Sequence, residues 1–221
     1  PSPLITPAVY EKGTTRANAN VIKWAGWCAL DIDEYDSTFE EAVKQFNDYE
    51  YMFWNNDNLP DLPHRCKRQM ERYGKKNKPA LQADILRYYV LNKYGGIYID
   101  ADFICYESFG HIIKKPFFCV SPNTMAYWVC NGLFGCEPNN PILNMLLLEL
   151  SKEPTHGPQL LTRYILQYLG FGDRTNLYAY LESNPHNYIQ CEKPNKFFRK
   201  GGEYCYHDAL RSWQPKRKAQ S

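Results

Sequence analysis

The 221-residue sequence has no run of apolar residues near the roughly 18 that a membrane span requires; its most apolar stretch, Ile142 to Leu150, is broken by Asn144 and Glu149. Charge of one sign is missing too. Twenty-six Lys and Arg stand against 24 Asp and Glu, a formal net charge of +2, so no global basic field draws the chain to nucleic acid. Eight cysteines, at 28, 66, 105, 119, 130, 136, 191 and 205, include no C-x-x-C pair, which removes zinc-ribbon and thioredoxin spacings. The even count leaves disulfides open. Cys105, Cys119 and Cys130, however, lie in apolar strand-like runs where a free thiol acts as a small hydrophobe. No P-loop, G-x-G-x-x-G, G-x-S-x-G or H-E-x-x-H motif occurs, which argues against P-loop NTPases, dinucleotide folds, serine hydrolases and common zinc proteases. Internal repeats and low-complexity tracts are also lacking.

Hydrophobic residues at 44% and charged residues at 23% place the chain among globular proteins and exclude intrinsic disorder. Aromatics are in excess, with 18 Tyr, 11 Phe and 5 Trp. A domain of this size buries roughly 70% of its unfolded surface, so it needs neither disulfide nor structural metal, and one large domain is expected. The sequence begins at Pro1 rather than Met and shows no signal-peptide pattern, which reads as a processed or trimmed form. On that reading, membrane association comes only through a segment outside this chain.

Asn20 to Trp27 reads as a first strand. Ser37-Thr-Phe-Glu40 is a capping box opening a helix to Phe46, and Tyr49 to Trp54 an aromatic strand before the polar loop Asn55 to Pro60. Strand, helix, strand at this spacing predicts a parallel βαβ unit. His64 to Tyr73 is a short basic helix ending at Gly74. Ala80 to Lys93, entered through Pro79, carries Leu81, Ile85, Tyr88 and Tyr89 at helical spacing and stops at Tyr94-Gly95-Gly96. Ile97-Tyr-Ile99 is then a short buried strand that delivers Asp100-Ala-Asp102 at its carboxyl end. Strands are expected at Phe117 to Val120 and Tyr127 to Phe134, and helices at Pro141 to Leu150 and Pro158 to Leu169. Short β-like runs follow in the last 50 residues, and from Pro215 a basic tail is expected to be mobile.

Asp100 and Asp102 are the sharpest feature. Carboxylates two apart on a strand point to opposite faces unless the chain turns between them, and just past a strand end both can reach one site. Carboxylate oxygens are natural ligands for Mg²⁺ or Mn²⁺, hard cations that bridge diphosphates. The alternative is a solvated acidic turn, which the flanking apolar run and Gly95-Gly96 make less fitting, since ligands of α/β sheets bind beyond the strands' carboxyl ends. Asp84 and Arg87, three apart on the preceding helix, either grip sugar hydroxyls or form an exposed ion pair worth a few tenths of a kcal/mol. Seven cations between Arg65 and Lys78 (65, 67, 68, 72, 75, 76, 78) with one acid, Glu71, read as a solvated helix face or as attraction for an anionic donor, acceptor or membrane surface.

The block Ala80-Leu-Gln-Ala-Asp84-Ile-Leu-Arg87-Tyr-Tyr-Val-Leu-Asn-Lys-Tyr-Gly-Gly-Ile-Tyr-Ile-Asp100-Ala-Asp102 resembles glycosyltransferase family 32, the sugar-transferring family with a D-x-D motif that includes yeast initiating α-1,6-mannosyltransferases and, more distantly, clostridial toxin glucosyltransferases. Asn47 to Trp54, Asn131-Gly-Leu-Phe, Gly157-Pro158 and His207 to Trp213 support the resemblance. It implies a GT-A fold, an α/β architecture with an open, mixed, mainly parallel sheet flanked by helices, spanning residues 20–213 between an N-terminal extension (1–19) and the tail (214–221). It further implies Asp102 as direct metal ligand, Asp100 as a contact to donor or metal, and Asp84 and Arg87 as grips on the donor sugar. His207 is implied as the C-terminal metal ligand, Trp213 as a cover over the donor and Trp24 as a base-stacking residue.

The activity so implied is retaining transfer of a hexose or N-acetylhexosamine from a nucleotide-diphosphate sugar, UDP-linked first and GDP-mannose second, to a hydroxyl of a glycan, lipid-linked or protein acceptor. The mixed nitrogen and oxygen ligand set points to Mn²⁺ before Mg²⁺. Two rivals are a sugar-nucleotide-binding protein without turnover and a haloacid-dehalogenase-like phosphatase. The latter wants Thr or Val two residues past its second Asp, where Phe103-Ile104 follows here.

Overall fold

The computed structural model describes residues 21–22, 29–30, 60–76, 78–100, 103–105, 112–150, 157–172, 175–197 and 204–207. They form β1 (Val21–Ile22), β2 (Ala29–Leu30), α1 (His64–Lys75), α2 (Pro79–Tyr94), β3 (Gly96–Ile99), β4 (Phe103–Cys105), β5 (Phe117–Val120), β6 (Leu133–Cys136), α3 (Pro141–Glu149), α4 (Pro158–Tyr168), α5 (Leu177–Ser183), β7 (Ile189–Glu192) and β8 (Cys205–His207), with a 3₁₀ turn at Pro194–Lys196. The expected helix 37–46 and strand 49–54 lie outside the described residues, as do Trp24, Asp102 and Trp213.

The architecture is mixed α/β, a mixed sheet flanked by helices. Its main sheet runs β1-β3-β6-β5-β7, with β2 also pairing with β3, and β4 and β8 form a separate ribbon. The expectation of a mainly parallel sheet is corrected among the described pairings. β1–β3, β3–β6, β5–β6 and β4–β8 are antiparallel, and β2–β3 and β5–β7 are parallel. For β5 and β6 the physical reason is that the chain returns from one to the other with no crossover helix between them.

β3 is buried on both faces, as its unbroken apolar run predicts. On the helix side Tyr98, Phe117, Cys119 and Phe134 pack with Ile85, Tyr88 and Leu91 of α2 and with Leu143, Leu146, Leu161 and Ile165 of α3 and α4. Tyr88 and Tyr98 both tilt against Phe134, with ring centroids 5.8 and 6.2 Å away. On the other face Phe118 meets Phe197 edge-on at 5.9 Å, and Phe197 stacks on Tyr204 at 5.5 Å. Each fully buried ring of this kind contributes about 1.5–3 kcal/mol.

α2 begins on Pro79 at its first turn and ends where the Gly95 amide donates to the Leu91 carbonyl at 2.8 Å. Gly95 has φ 72° and ψ −176°, a region essentially closed to side-chain-bearing residues. A Cβ there would also stand 2.6 Å from Cδ of Pro138, so glycine is required twice over. α1 passes through Gly74 to Lys75, because the Lys76 and Lys78 amides both still reach the Tyr73 carbonyl, at 3.1 and 2.9 Å.

Two further expectations change. The strand read over Tyr127 to Phe134 is confined to Leu133–Cys136. Upstream, the Ala126 amide donates to the Asn123 carbonyl at 3.2 Å and the Met125 amide to Asn123 Oδ1 at 2.9 Å, while the Val129 amide is taken by Thr162 Oγ1 at 2.9 Å. These turn bonds interrupt the ladder before Leu133, although the Cys130 amide still donates to the Val120 carbonyl at 2.9 Å. α5 arises within the part read as short β-like runs: the Asn176 side chain caps it by accepting from the Ala179 amide at 3.1 Å, and Leu177, Tyr178 and Leu181 bury one face. Cys66, Cys119, Cys130, Cys136, Cys191 and Cys205 are free thiols. No described helix is long and apolar enough to cross a membrane.

Candidate active site

β3 delivers Asp100 at its carboxyl end, and the β3–β6 register determines what faces it. Ile99 pairs with Leu133, and one step on, the Asp100 amide donates to the Gly132 carbonyl at 2.7 Å. Gly132 has to be small. A Cβ there would lie 3.0 Å from Cγ of Asp100 and 3.4 Å from Sγ of Cys130, so the missing side chain leaves the space that the carboxylate occupies.

Oδ1 of Asp100 is held from two sides. The Tyr98 hydroxyl donates to it, and Nη1 of Arg87 lies 3.1 Å away. Arg87 comes from the middle of α2, one helix layer behind the strand. Nη1 also donates to the Asn131 carbonyl at 2.7 Å, Nη2 is 3.4 Å from Oδ1 of Asp84, and the guanidinium lies 4.0 Å above the Tyr98 ring. Asn131 closes the circuit by donating through Nδ2 to Oδ1 of Asp84 at 2.8 Å. Arg87 and Asp84 are buried, whereas the Asp100 side chain keeps 32% of its surface open. One carboxylate is thus presented outward by a buried network.

Burial pushes the Asp84 carboxyl up to about 6, against the opposing pull of Arg87. Burial alone would lower Arg87, but the carboxylates of Asp100 and Asp84 and the ring hydroxyl of Tyr98 outweigh it and hold the guanidinium firmly charged. Burial, reinforced by the neighbouring Asp100, pushes the Cys130 thiol up to about 12, so it is a neutral wall of the site rather than a nucleophile.

Of the residues singled out from sequence, the structure brings Asp84, Arg87 and Asp100 together. It does not show Asp84 and Arg87 as an exposed pair: both are buried, with Nη1 and Nη2 of Arg87 and Oδ1 of Asp84 engaged by Asn131, Asp100 and each other, which is the geometry of positioning residues. The β4–β8 register sets His207 opposite Phe103, the residue that follows Asp102 in the sequence. Among the described residues no three His, Cys, Asp or Glu side chains gather as a metal cluster. A hard divalent cation nonetheless fits the chemistry of the donor set: an outward carboxylate with a glycine beside it, and a histidine on the strand that pairs with β4.

Sequence reasoning gave Tyr98 no place in the site, and it quoted Asn131 and Gly132 only as part of the family resemblance, without a role. The signal for Asn131-Gly132 was a polar residue and a glycine set directly before an apolar run. Tyr98 read as core, and its ring is core; only its hydroxyl reaches the site.

Residues 33–118 match the family described as "Glycosyltransferase sugar-binding region containing DXD motif", which covers α1, α2, β3 and the aspartates. Over 112 residues the chain is 30% identical to an uncharacterized glycosyltransferase of Acanthamoeba polyphaga mimivirus, covering 48% of this chain and 44% of that one. Over 113 residues it is 30% identical to a mannosyl phosphorylinositol ceramide synthase of Saccharomyces cerevisiae, covering 50% of this chain and 29% of that one. It therefore spans less than half the length of these curated relatives. A solved structure, the PaToxG glycosyltransferase, superposes with a TM-score of 0.43 at 22% identity, over 71% of this chain and 52% of that one, a likeness too slight to carry an argument.

Proposed function

We propose that residues 20–213 form the catalytic unit, of GT-A fold, of a retaining, Mn²⁺-dependent glycosyltransferase that moves a hexose or N-acetylhexosamine from a nucleotide-diphosphate sugar to an acceptor hydroxyl. The observation that carries this reading is the Asp100 carboxylate, held outward at the tip of a buried strand by Arg87 and the Tyr98 hydroxyl, inside the segment that matches a D-x-D glycosyltransferase region. A mannosyl donor stands beside the UDP-sugars that the sequence reading favours, because the yeast relative's name says mannosyl. The same name supports a lipid-linked acceptor among the glycan, lipid and protein candidates.

In this reading Asp102 and His207 would hold the cation, and Asp100 would contact the donor or the metal. The ion supplies Lewis-acid stabilisation of the charge that builds on the departing diphosphate. Arg87 prevents Asp100 from rotating away, and Asp84 with Asn131 prevents Arg87 from doing so, so that the carboxylate meets the donor without reorganising. Trp24 stacks on the base, and Trp213 covers the donor. The acceptor attacks from the face that the diphosphate leaves, and the diphosphate receives its proton; a covalent glycosyl adduct trapped on any carboxylate would contradict this step.

The test is donor hydrolysis without acceptor. Full-length protein should release nucleoside diphosphate slowly in Mn²⁺ and not in chelator. Asp102→Ala should lower that rate by at least about a hundredfold while leaving the circular dichroism spectrum unchanged. Retained full activity in Asp102→Ala would remove the metal role.

A further inference from the structure

The basic stretch on α1 plays no part in the site, and its charge is out of proportion to the chain. Residues 64–78 hold seven Lys or Arg against one Glu, while the remainder holds 19 against 23 acids. The chain is net acidic elsewhere, so its overall positive balance comes from this one stretch of surface helix and the residues just after it.

α1 buries Cys66, Gln69 and Tyr73 against the rest of the fold. Arg65, Arg68, Arg72, Lys75 and Lys76 recur at intervals of three and four, so they line one contiguous exposed face. Lys67, away from that line, is ion-paired with Asp61 at 2.7 Å; Arg68, Arg72, Lys75 and Lys76 have no carboxylate partner among the described residues. An apolar group adjoins this face. Nη1 of Arg65 donates to the carbonyl of Leu148 at 2.9 Å, and Leu148, near the end of α3, is 57% exposed.

We propose that this face of α1, with Leu148 at its border, docks the protein on an anionic lipid bilayer. The charge selects an anionic partner, and the exposed leucine beside Arg65 selects a bilayer over nucleic acid, because an apolar side chain gains nothing against phosphates but is removed from water at a headgroup and acyl boundary. The surface departs from the expectation that membrane association comes only through a segment outside this chain. It does not depend on donor or metal chemistry. Each cation near such a surface tightens binding about fivefold, within a Debye length and less so as salt rises.

The experiment is flotation of the full-length chain with vesicles of phosphatidylcholine alone or with about one-third phosphatidylserine. Binding is expected on the mixed vesicles only, falling as salt is raised. Arg68→Glu/Arg72→Glu should weaken it more than about twentyfold, and Leu148→Ser severalfold, with donor hydrolysis unchanged in both. Should the charge reversal fail to fold, Arg68→Gln/Arg72→Gln carries the same expectation with a smaller loss. Equal binding to neutral vesicles, absence of binding to the mixed ones, or undiminished binding by the substituted proteins would overturn the proposal. So would a short DNA duplex that displaces the protein from the mixed vesicles. A protein that docks as expected but hydrolyses no donor would leave this surface standing and remove the transferase reading instead.

Discussion

Arg87 is the side chain on which the site's order depends, because a single guanidinium satisfies a backbone carbonyl, two carboxylates and a ring face at once. Truncating it leaves Asp84 buried without its counter-charge, so Arg87→Met should cost about 3–5 kcal/mol in urea unfolding. Arg87→Lys keeps the charge but not the planar fork, and should recover part of that stability while losing most donor hydrolysis. Asp84 sets a pH dependence of the opposite kind from a surface-paired acid. Its carboxyl lies at about 6 in the folded chain against an ordinary 3.8, so the native state holds the proton more tightly than the unfolded one. Its contribution to stability is therefore full below about 4 and is lost as pH rises through about 6. Asp84→Asn should flatten this slope, and urea midpoints measured across that window would reveal it; an unchanged slope would contradict the assignment.

α2 and β3 act as one device joined by Gly95 and Gly96. The helix ends so abruptly that its next residues are already strand, which puts Arg87 two turns behind the carboxylate it orients. Gly95→Ala forces a side chain into φ 72° with Pro138 against it, and should lower stability by about 1–3 kcal/mol or more, visible as a lower melting temperature. The bounds of α2 and β3 were legible from Pro79, the helical spacing of Leu81, Ile85 and Tyr88, and the Gly-Gly stop, because these signals act within a few residues. The bounds of β6 were not. Residues 127–132 have the apolar content of a strand, yet Thr162, more than thirty residues away, claims the amide that a strand would have needed. α5 was hidden for a related reason: at seven residues it is too short for periodicity to speak, and its Asn176 cap gains meaning only once the face it buries is known.

For the molecule as a whole, the transferase reading predicts linkage between ligand and fold. A nucleotide sugar with Mn²⁺ at about a hundred times its Kd should stabilise the native state by about 2.7 kcal/mol, a melting shift of several degrees in a chain of this size. A panel of UDP- and GDP-sugars would identify the donor by which one shifts the midpoint, and a panel without any shift would remove the proposal. Residue order alone sufficed to mark Asp100 at a strand end, the helix that precedes it and the mixed α/β class, since hydrophobic period, caps and glycine stops are local. It could not decide that four of the six described strand pairings run antiparallel, that Asp84 and Arg87 are buried rather than solvated, or that Asn131, Gly132 and the Tyr98 hydroxyl complete their network. Those facts come from β6 lying against β3 and α2 lying across both. They depend on contacts between separate elements, such as Asn131 with Asp84 across 47 positions, and burial and charge there exist only after the chain has closed on itself.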